Sequence, residues 1–434
     1  MDKMADVLGR AGAWCGQNKY LSAIKNAFQN FMPLTIAGAI GVLWCNVLVN
    51  DQTGLGLFFK PIMALDFLNP AFQAVNFCTI SCITVGITLG IAQEIGVWNM
   101  GAERAGYIPG LVGLAAWLSV TNTSHMVEGA KDAFTGIAGN ELGATGLFTG
   151  MIIGVLSVEL FCFFEKQDAL KIKMPEQVPP GVARAFEVLV PATITLIITA
   201  CIGSACYNLT GLYLNDVIKN GIQGPLGAVG ATIPGVMIIY LVIMLFWLVG
   251  IHGNNMLSAV KEALFTPLAL ENVEKFNKGE KPTNIINMYF LQMCGEFGGS
   301  GVTIGLVIAI MIFGKREDNK AIASLSLVPG LFNINETVTF GIPMVLNPIL
   351  GIPFVFACLV TILVGYVLTV IGFCPVACLT VPWTTPPIVF GFLATGANVM
   401  GAVTQAILIV VSTVIYVPFL IAYEKYQNKQ AAEA

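Results

Sequence analysis

The sequence predicts an all-α integral membrane protein with about ten transmembrane helices and two re-entrant hairpins. Of its 434 residues, 56% are hydrophobic and only 11% are charged, whereas soluble domains carry about 25% charged residues. The 46 glycines and 21 prolines indicate interrupted helices, which a membrane tolerates where the broken backbone faces protein or a water-lined cavity. The formal net charge of −4, without a basic stripe, argues against a nucleic-acid partner.

The cysteines predict no metal site. Most of the 11 cysteines lie in apolar segments and lack the paired spacing with histidine that a metal site needs, so they are interpreted as small buried hydrophobic residues. The chain has no Walker motif, so it does not itself hydrolyse nucleotide, and no cofactor is expected.

The first half of the chain contains regular apolar stretches that predict membrane spans. The six candidates are Asn26–Asn50, Phe67–Gln93, Ala105–Val120, Leu142–Phe164, Val188–Asn215 and Gly230–Ile251. Before them, Met1–Tyr20 mixes charged and apolar residues without a cleavage site, which predicts an amphipathic helix at the cytoplasmic face. Residues 1–225 are therefore predicted to form a first domain of regular spans.

The second half alternates spans with broken elements. Val328–Pro348 and Cys374–Leu393 are punctuated by glycine and proline and predict the two hairpins, whereas Ile352–Phe373 and Ala397–Ala422 predict continuous spans. Pro282–Phe313 is too short for two full spans, so part of it is expected to dip into the membrane and return. Because transporters build midplane substrate sites from such irregular backbone, residues 226–434 are predicted to form the substrate-binding part.

Charged residues in short loops predict the orientation of the chain. Lysines and arginines collect before the first span and between the fourth and fifth spans, while the loop Thr121–Glu141 has three acidic residues against one lysine. The segment that contains Lys261, Lys275, Lys278 and Lys281 and the C-terminal Glu424–Ala434 are also expected in the cytoplasm. Both termini are then cytoplasmic, which requires an even number of crossings.

One carboxylate stands alone in the second half. Glu336 is the only Asp, Glu, Lys, Arg or His residue between Ala321 and Tyr423. A carboxylate at membrane depth costs about 2.5 kcal/mol or more, and such residues usually serve a function. Glu336 is therefore the first functional candidate, and the structural alternative is that it caps its hairpin by accepting backbone N–H groups.

His252 interrupts a long apolar run at Gly250-Ile251-His252-Gly253-Asn254-Asn255. One interpretation is a histidine that ends a helix at the membrane boundary, and the other is a break inside the protein. The flanking glycines and Asn254 expose backbone and amide groups together, which suits a polyol ligand and favours the break.

Further polar and aromatic residues are candidates for binding a sugar. Asn333 and Asn335 offer amide donors and acceptors beside the carboxylate, as hydroxyl recognition requires. Gly299 and Ser300 lie in a glycine run that lets backbone approach a ligand, although such runs also form helix packing faces. Trp383 offers a ring that stacks on a sugar, with an interface anchor as the alternative.

Taken in order, these segments resemble the membrane IIC components of the phosphoenolpyruvate-dependent sugar phosphotransferase system, in particular the lactose/cellobiose/diacetylchitobiose group. The resemblance covers essentially the whole chain and is carried by Asn30-Phe31-Met32-Pro33-Leu34, Ile251-His252-Gly253, Gly298-Gly299-Ser300-Gly301, Asn333-Ile334-Asn335-Glu336, Phe340-Gly341-Ile342-Pro343 and Pro382-Trp383-Thr384. Family members often carry proline directly after the glutamate, where this chain has Thr337.

The resemblance implies a homodimer in the bacterial cytoplasmic membrane, in contact with lipid, with the earlier spans forming the dimer contact. It implies that a disaccharide of the cellobiose, diacetylchitobiose or lactose type is carried inward and phosphorylated at its 6-hydroxyl by the phosphocysteine of a separate IIB protein at the cytoplasmic face. His252 and Glu336 are then the catalytic residues near that hydroxyl, with Asn333, Asn335 and Trp383 among the binding groups.

A function of another class explains the lone carboxylate equally well. In an ion- or proton-coupled secondary transporter, Glu336 is the protonation site. This alternative does not predict the asparagines around the carboxylate, and it predicts uptake without phosphorylation of the sugar. A passive channel or scaffold gives Glu336 no function.

Overall fold

A computed structural model describes residues 10, 13–14, 17–51, 55–125, 134–175 and 177–433. The predicted amphipathic helix at Met1–Tyr20 lies mostly outside these residues, as does the middle of the predicted outer loop. The edges of that loop form a two-residue antiparallel pair, β1 (Ser124–His125) and β2 (Phe134–Thr135), with Ser124 opposite Thr135.

The helices of the first part are α1 (Lys19–Leu43), α2 (Asn69–Asn76), α3 (Ile83–Met100), α4 (Ala102–Ala105), α5 (Ile108–Val120), α6 (Gly139–Leu142), α7 (Ala144–Glu165), α8 (Pro180–Thr210), α9 (Leu214–Ile218) and α10 (Gly224–Gly230). Wider π-helical turns lie at Trp44–Leu48, Phe77–Ser81 and Lys219–Gln223, and 3₁₀ turns at Leu55–Leu57, Lys60–Leu68 and Asp168–Leu170.

The later helices are α11 (Ile233–Leu248), α12 (Gly253–Met256), α13 (Ser258–Asn277), α14 (Met288–Gly295), α15 (Ile304–Phe313), α16 (Glu317–Leu331), α17 (Glu336–Gly341), α18 (Gly351–Val370), α19 (Val389–Ala394) and α20 (Val399–Glu433). Many of these helices are short, as the glycine and proline content predicts.

The predicted all-α fold is confirmed in the described part of the chain. Five described helices are long and apolar enough to cross a membrane, or six if Lys60–Ser81 and Ile83–Met100, bent by 42° at their junction, form one span. The five are Lys19–Leu48, Ala144–Glu165, Pro180–Thr210, Gly351–Val370 and Val399–Glu433. Helices α5, α11 and α15 are apolar but shorter, so the total number of spans stays a prediction.

The chain divides into two compact units. One consists of Gln17–Gly38 and Ala74–Ala228, and the other contains Ala39–Gln73 and Val229–Ala434. The structure thus places residues 39–73 with the later part of the chain, whereas the sequence-based division kept them within 1–225.

Small residues bring the helices of the first unit close together. A Cβ atom on Gly113 of α5 would lie 2.3 Å from the Cβ atom of Ala92 on α3. A Cβ atom on Gly150 of α7 would lie 2.2 Å from the hydroxyl oxygen of Thr88, also on α3. Such close approach of helix backbones is how membrane helices gain packing energy without a hydrophobic driving force.

Buried amide side chains support the irregular backbone of the second unit. No helix runs between residues 373 and 388, so the backbone groups there need partners from elsewhere. Asn272 of α13 and Asn287, at the start of α14, both donate to the carbonyl oxygen of Ala377, at 3.1 and 3.0 Å. Gln405 of α20 accepts from the N–H group of Ile388 at 2.8 Å. These hydrogen bonds stabilise the non-helical backbone of the second predicted hairpin.

The first predicted hairpin is also broken, as expected. Helix α16 ends at Leu331, residues 332–335 turn, and the short helix α17 begins at Glu336. The turn brings the lone carboxylate to the beginning of a new helix.

Candidate functional site

The structure brings the two predicted catalytic residues together. Oε1 of Glu336 lies 3.7 Å from Nε2 of His252, and both side chains are partly exposed, at 46% and 37%. Within the described residues, the carboxylate of Glu336 accepts no hydrogen bond from a backbone N–H group, so the capping alternative has no structural support. The carboxylate is therefore open to a ligand.

The hydrogen bonds of His252 define which nitrogen carries the proton. Nδ1 accepts from the N–H group of Asn255 at 3.2 Å, where His252 caps the start of α12. A neutral imidazole with an accepting Nδ1 carries its proton on Nε2, the nitrogen that faces Glu336. The ring also packs on Trp247, with centroids 4.5 Å apart, so its orientation is fixed from two sides.

The glycine that follows His252 is required by close packing. A Cβ atom on Gly253 would lie 2.0 Å from the carbonyl oxygen of Ile243, so α12 rests directly on the backbone of α11. This contact explains why the break in the apolar run carries glycine, and it fixes the position of the histidine.

We expect Gly253→Ala to destabilise the protein by about 1–3 kcal/mol, because the added methyl group forces α12 away from α11. The measurement is the thermal unfolding midpoint of the detergent-purified protein. Gly181→Ala is the matched control, because a Cβ atom there meets nothing within 4 Å. Equal midpoints for the two variants would contradict the packing argument.

Asn333 joins the two broken elements. Its Nδ2 group donates to the carbonyl oxygens of Trp383 at 2.5 Å and Thr385 at 3.0 Å, and its Oδ1 accepts from the N–H group of Gly298 at 2.7 Å. Its φ of +63° is left-handed, a conformation that asparagine tolerates better than most residues. Both donors of this amide are thus used by the protein, and only acceptor capacity remains for a ligand.

Asn335 fixes the residue before the carboxylate. It is 4% exposed, and its Nδ2 group donates to the carbonyl oxygen of Ser300 at 2.9 Å and to the hydroxyl of Thr339 at 3.2 Å. Gly299, at φ +87°, leaves room for this amide, because a Cβ atom there would lie 2.6 Å from the Cβ atom of Asn335. The glycine run therefore packs against the tip of the hairpin that carries Glu336.

The backbone of Trp383 is anchored by Asn333, and the residue as a whole is 43% exposed. A partly exposed tryptophan on the broken element that Asn333 holds is available for stacking. Its contact with a sugar stays a prediction.

The structure also reveals a charged pair that the sequence interpretation missed. The sequence predicts only that Lys261 belongs to a charged segment on the cytoplasmic side; in the structure it lies in α13 and its side chain is only 7% exposed. Its ammonium group contacts the carboxylate of Glu296, and Nζ donates to Oδ1 of Asn254 at 3.3 Å. The sequence interpretation did not single out Lys261 because α13 has an ordinary polar composition, although one of its faces is buried.

The arrangement has the chemistry of hydroxyl recognition. A partly exposed carboxylate can accept a hydroxyl proton, and the imidazole beside it can orient that carboxylate. In the described residues, no group of three or more His, Cys, Asp and Glu side chains has the arrangement of a metal site.

Comparisons with known proteins all match EIIC components of the phosphotransferase system. The family model described as "Phosphotransferase system, EIIC" matches residues 25–358. The chain is 34% identical to the oligo-beta-mannoside-specific EIIC component of Bacillus subtilis (strain 168), over 98% of this chain and 94% of that protein. It is 29% identical to the cellobiose-specific EIIC component of Lactococcus lactis subsp. lactis (strain IL1403), over 98% of each.

A solved structure is similar over the same extent. The crystal structure of the transporter ChbC, the IIC component from the N,N'-diacetylchitobiose-specific phosphotransferase system, matches with a TM-score of 0.88 at 28% identity, covering 97% of each chain. This likeness agrees with the predicted all-α membrane fold.

Proposed function

The chain belongs to the EIIC family of the phosphotransferase system, and from this premise we propose that it carries a β-linked disaccharide across the bacterial cytoplasmic membrane, coupled to phosphorylation. The observation that carries the proposal is the pair Glu336 and His252, 3.7 Å apart and partly exposed. Glu336 is also the only charged residue between Ala321 and Tyr423.

In the proposed reaction, the 6-hydroxyl of the sugar lies against the carboxylate of Glu336. The hydroxyl oxygen attacks the phosphorus of a phosphocysteine on a separate IIB protein while Glu336 accepts the hydroxyl proton. The phosphorus–sulfur bond breaks, and the cysteine leaves as a thiolate. None of this chain's own cysteines takes part.

In this proposal, the role of His252 is to position the carboxylate of Glu336. Its Nε2–H group faces Glu336, so it holds the carboxylate where the hydroxyl must lie. Because phosphoryl transfer depends mainly on positioning and charge, a fixed donor at this point lowers the barrier without taking part in bond formation.

The remaining predicted binding residues offer different groups to the sugar. The partly exposed Trp383 offers its ring to the face of the sugar. Asn333 and Asn335 have acceptor oxygens left, since their donors bond to protein. Asn254, Gly299 and Ser300 are proposed to line the same site.

The proposed substrate is a disaccharide of the cellobiose, diacetylchitobiose or lactose type. The names of the similar proteins, specific for cellobiose, oligo-beta-mannosides and N,N'-diacetylchitobiose, support a β-linked substrate. A calorimetric binding screen of cellobiose, lactose and diacetylchitobiose ranks them, and maltose, an α-linked disaccharide, is the control.

The proposed assembly is a lipid-embedded homodimer with both termini in the cytoplasm, where IIB docks. The regular spans of residues 1–225 are proposed as the dimer contact. Light scattering of the detergent-purified protein measures the assembly, and a monomer would contradict it.

Vesicle uptake separates this proposal from ion coupling. Membrane vesicles containing the protein are given labelled sugar with or without phosphorylated IIB on the cytoplasmic side, and free and phosphorylated sugar are scored. We expect sugar phosphate only when phosphorylated IIB is present. Accumulation of free sugar driven by a proton gradient would overturn the proposal and favour the secondary transporter.

A further inference from the structure

A buried ion pair lies beside the proposed site without a part in the proposed reaction. The side chains of Lys261 and Glu296 are 7% and 18% exposed and in direct contact. The hydroxyl of Tyr240, a residue with no exposed surface, donates to the same carboxylate oxygen at 2.7 Å. A buried ion pair is weak evidence for stability, because apolar residues of equal volume often stabilise as well or better. The pair therefore needs another explanation.

The ion pair of Lys261 and Glu296 sets the orientation of the side-chain amide of Asn254. The ammonium group of Lys261 can only donate hydrogen bonds, and it donates to Oδ1 of Asn254 at 3.3 Å. This contact points Nδ2 of Asn254 in the opposite direction, where it donates to the hydroxyl of Ser300 at 2.9 Å. Without the lysine, the two ends of the amide could exchange places, and Oδ1 instead of the Nδ2 donor would then face the hydroxyl of Ser300.

The hydrogen-bonded chain reaches both members of the proposed reacting pair. Asn254 lies two residues after His252 in the same short helix and cap. At the other end, the carbonyl oxygen of Ser300 accepts from Asn335, the residue directly before Glu336. One continuous set of contacts thus connects the buried ion pair to the elements that carry the imidazole and the carboxylate.

We propose that Lys261 and Glu296 are positioning residues that hold His252 and Glu336 opposite each other. The pair acts through Asn254 and Ser300 and does not itself contact the sugar. This inference rests on the proposed function, because it assigns a part in the same phosphoryl transfer.

The test is the double variant Lys261→Met with Glu296→Gln. It removes both charges at nearly constant volume and leaves no unpaired buried ion. We expect kcat of sugar phosphorylation to fall about 100-fold, as a displacement of about 1 Å does to reacting groups. The unfolding midpoint should remain close to that of the unmodified protein, and the sugar Kd should change much less than kcat.

The matched control is Lys278→Met with Glu274→Gln, the same chemical change to an exposed ion pair at the C-terminal end of the same helix, with 2.6 Å between its charged atoms. It should leave kcat unchanged. An unchanged kcat in the buried variant overturns the inference, and so does a loss of kcat accompanied by equal losses in midpoint and affinity, which marks a structural role.

If the double variant does not fold, Tyr240→Phe is the second test. It removes one hydrogen bond to Glu296 and keeps both charges, so kcat should fall about fivefold at constant Kd. No change in kcat overturns the inference. Failure of the proposed function is recognised separately, because the unmodified protein would then form no sugar phosphate with phosphorylated IIB.

Discussion

Glu336→Gln is expected to lower the rate of sugar phosphorylation by about 100-fold to 10 000-fold, the range that a general base contributes. Glutamine has nearly the same shape and can still face His252, but it cannot accept the hydroxyl proton. Because the carboxylate bonds to no backbone group in the described chain, the fold should not change. The measurement is initial-rate transfer from phosphorylated IIB, together with the sugar Kd and the unfolding midpoint.

The control for Glu336→Gln is Glu317→Gln, the same substitution at the start of α16, the helix that leads into the hairpin. The side chain of Glu317 is 86% exposed and pairs only with Lys320 in the described residues. It should transfer phosphate at the normal rate. Near-normal transfer by Glu336→Gln would mean that the carboxylate is not the proton acceptor. Loss of gradient-driven uptake of free sugar in that variant would instead identify a protonation site.

The sequence indicates a candidate site because a charged residue is conspicuous in an apolar segment. In the segment from Ala321 to Tyr423, a single carboxylate among glycines and prolines indicated both a broken element and a function. His252 was recognised for the same reason, as an interruption of an uncharged run. The structure places these two side chains 3.7 Å apart, although 84 residues separate them in sequence, and only the family resemblance had paired them.

The buried ion pair could not be recognised in this way. Helix α13 has as many polar residues as an ordinary surface helix, and the later lysines Lys278 and Lys281 are exposed. One signal was available, since Lys261, Phe265, Ala269 and Asn272 recur at helical spacing and form one buried face. The partner of the lysine, Glu296, lies on another element, and no local pattern connects them.

The asparagines show a second limit of sequence interpretation. Amides in apolar surroundings must bond to something, but sequence cannot say whether the partner is a sugar or the protein backbone. Asn333 and Asn335 direct their donors to the backbone and to Thr339, and in this way they build the hairpin. The same polarity that suggested ligand binding thus also supports irregular structure inside the membrane.

His252→Asn is expected to lower phosphorylation about 100-fold while preserving the fold. Oδ1 of asparagine can replace Nδ1 as the acceptor for the N–H group of Asn255, and asparagine is among the preferred residues at a helix start. What the substitution removes is Nε2, the atom that faces Glu336. The measurements are the unfolding midpoint, which should stay constant, and kcat with phosphorylated IIB, which should fall.

His252→Gln is expected to keep the contact with Glu336 and to lose the contact with the N–H group of Asn255, the reverse of His252→Asn. The longer amide can place a donor near the position of Nε2 but is poorly placed to accept from Asn255, so the midpoint should fall while more activity remains than in His252→Asn. If His252→Asn keeps full activity and His252→Gln loses it, the contact with Glu336 has no part in the reaction. The imidazole would then serve only to begin α12, and the carboxylate would act without a partner on this chain.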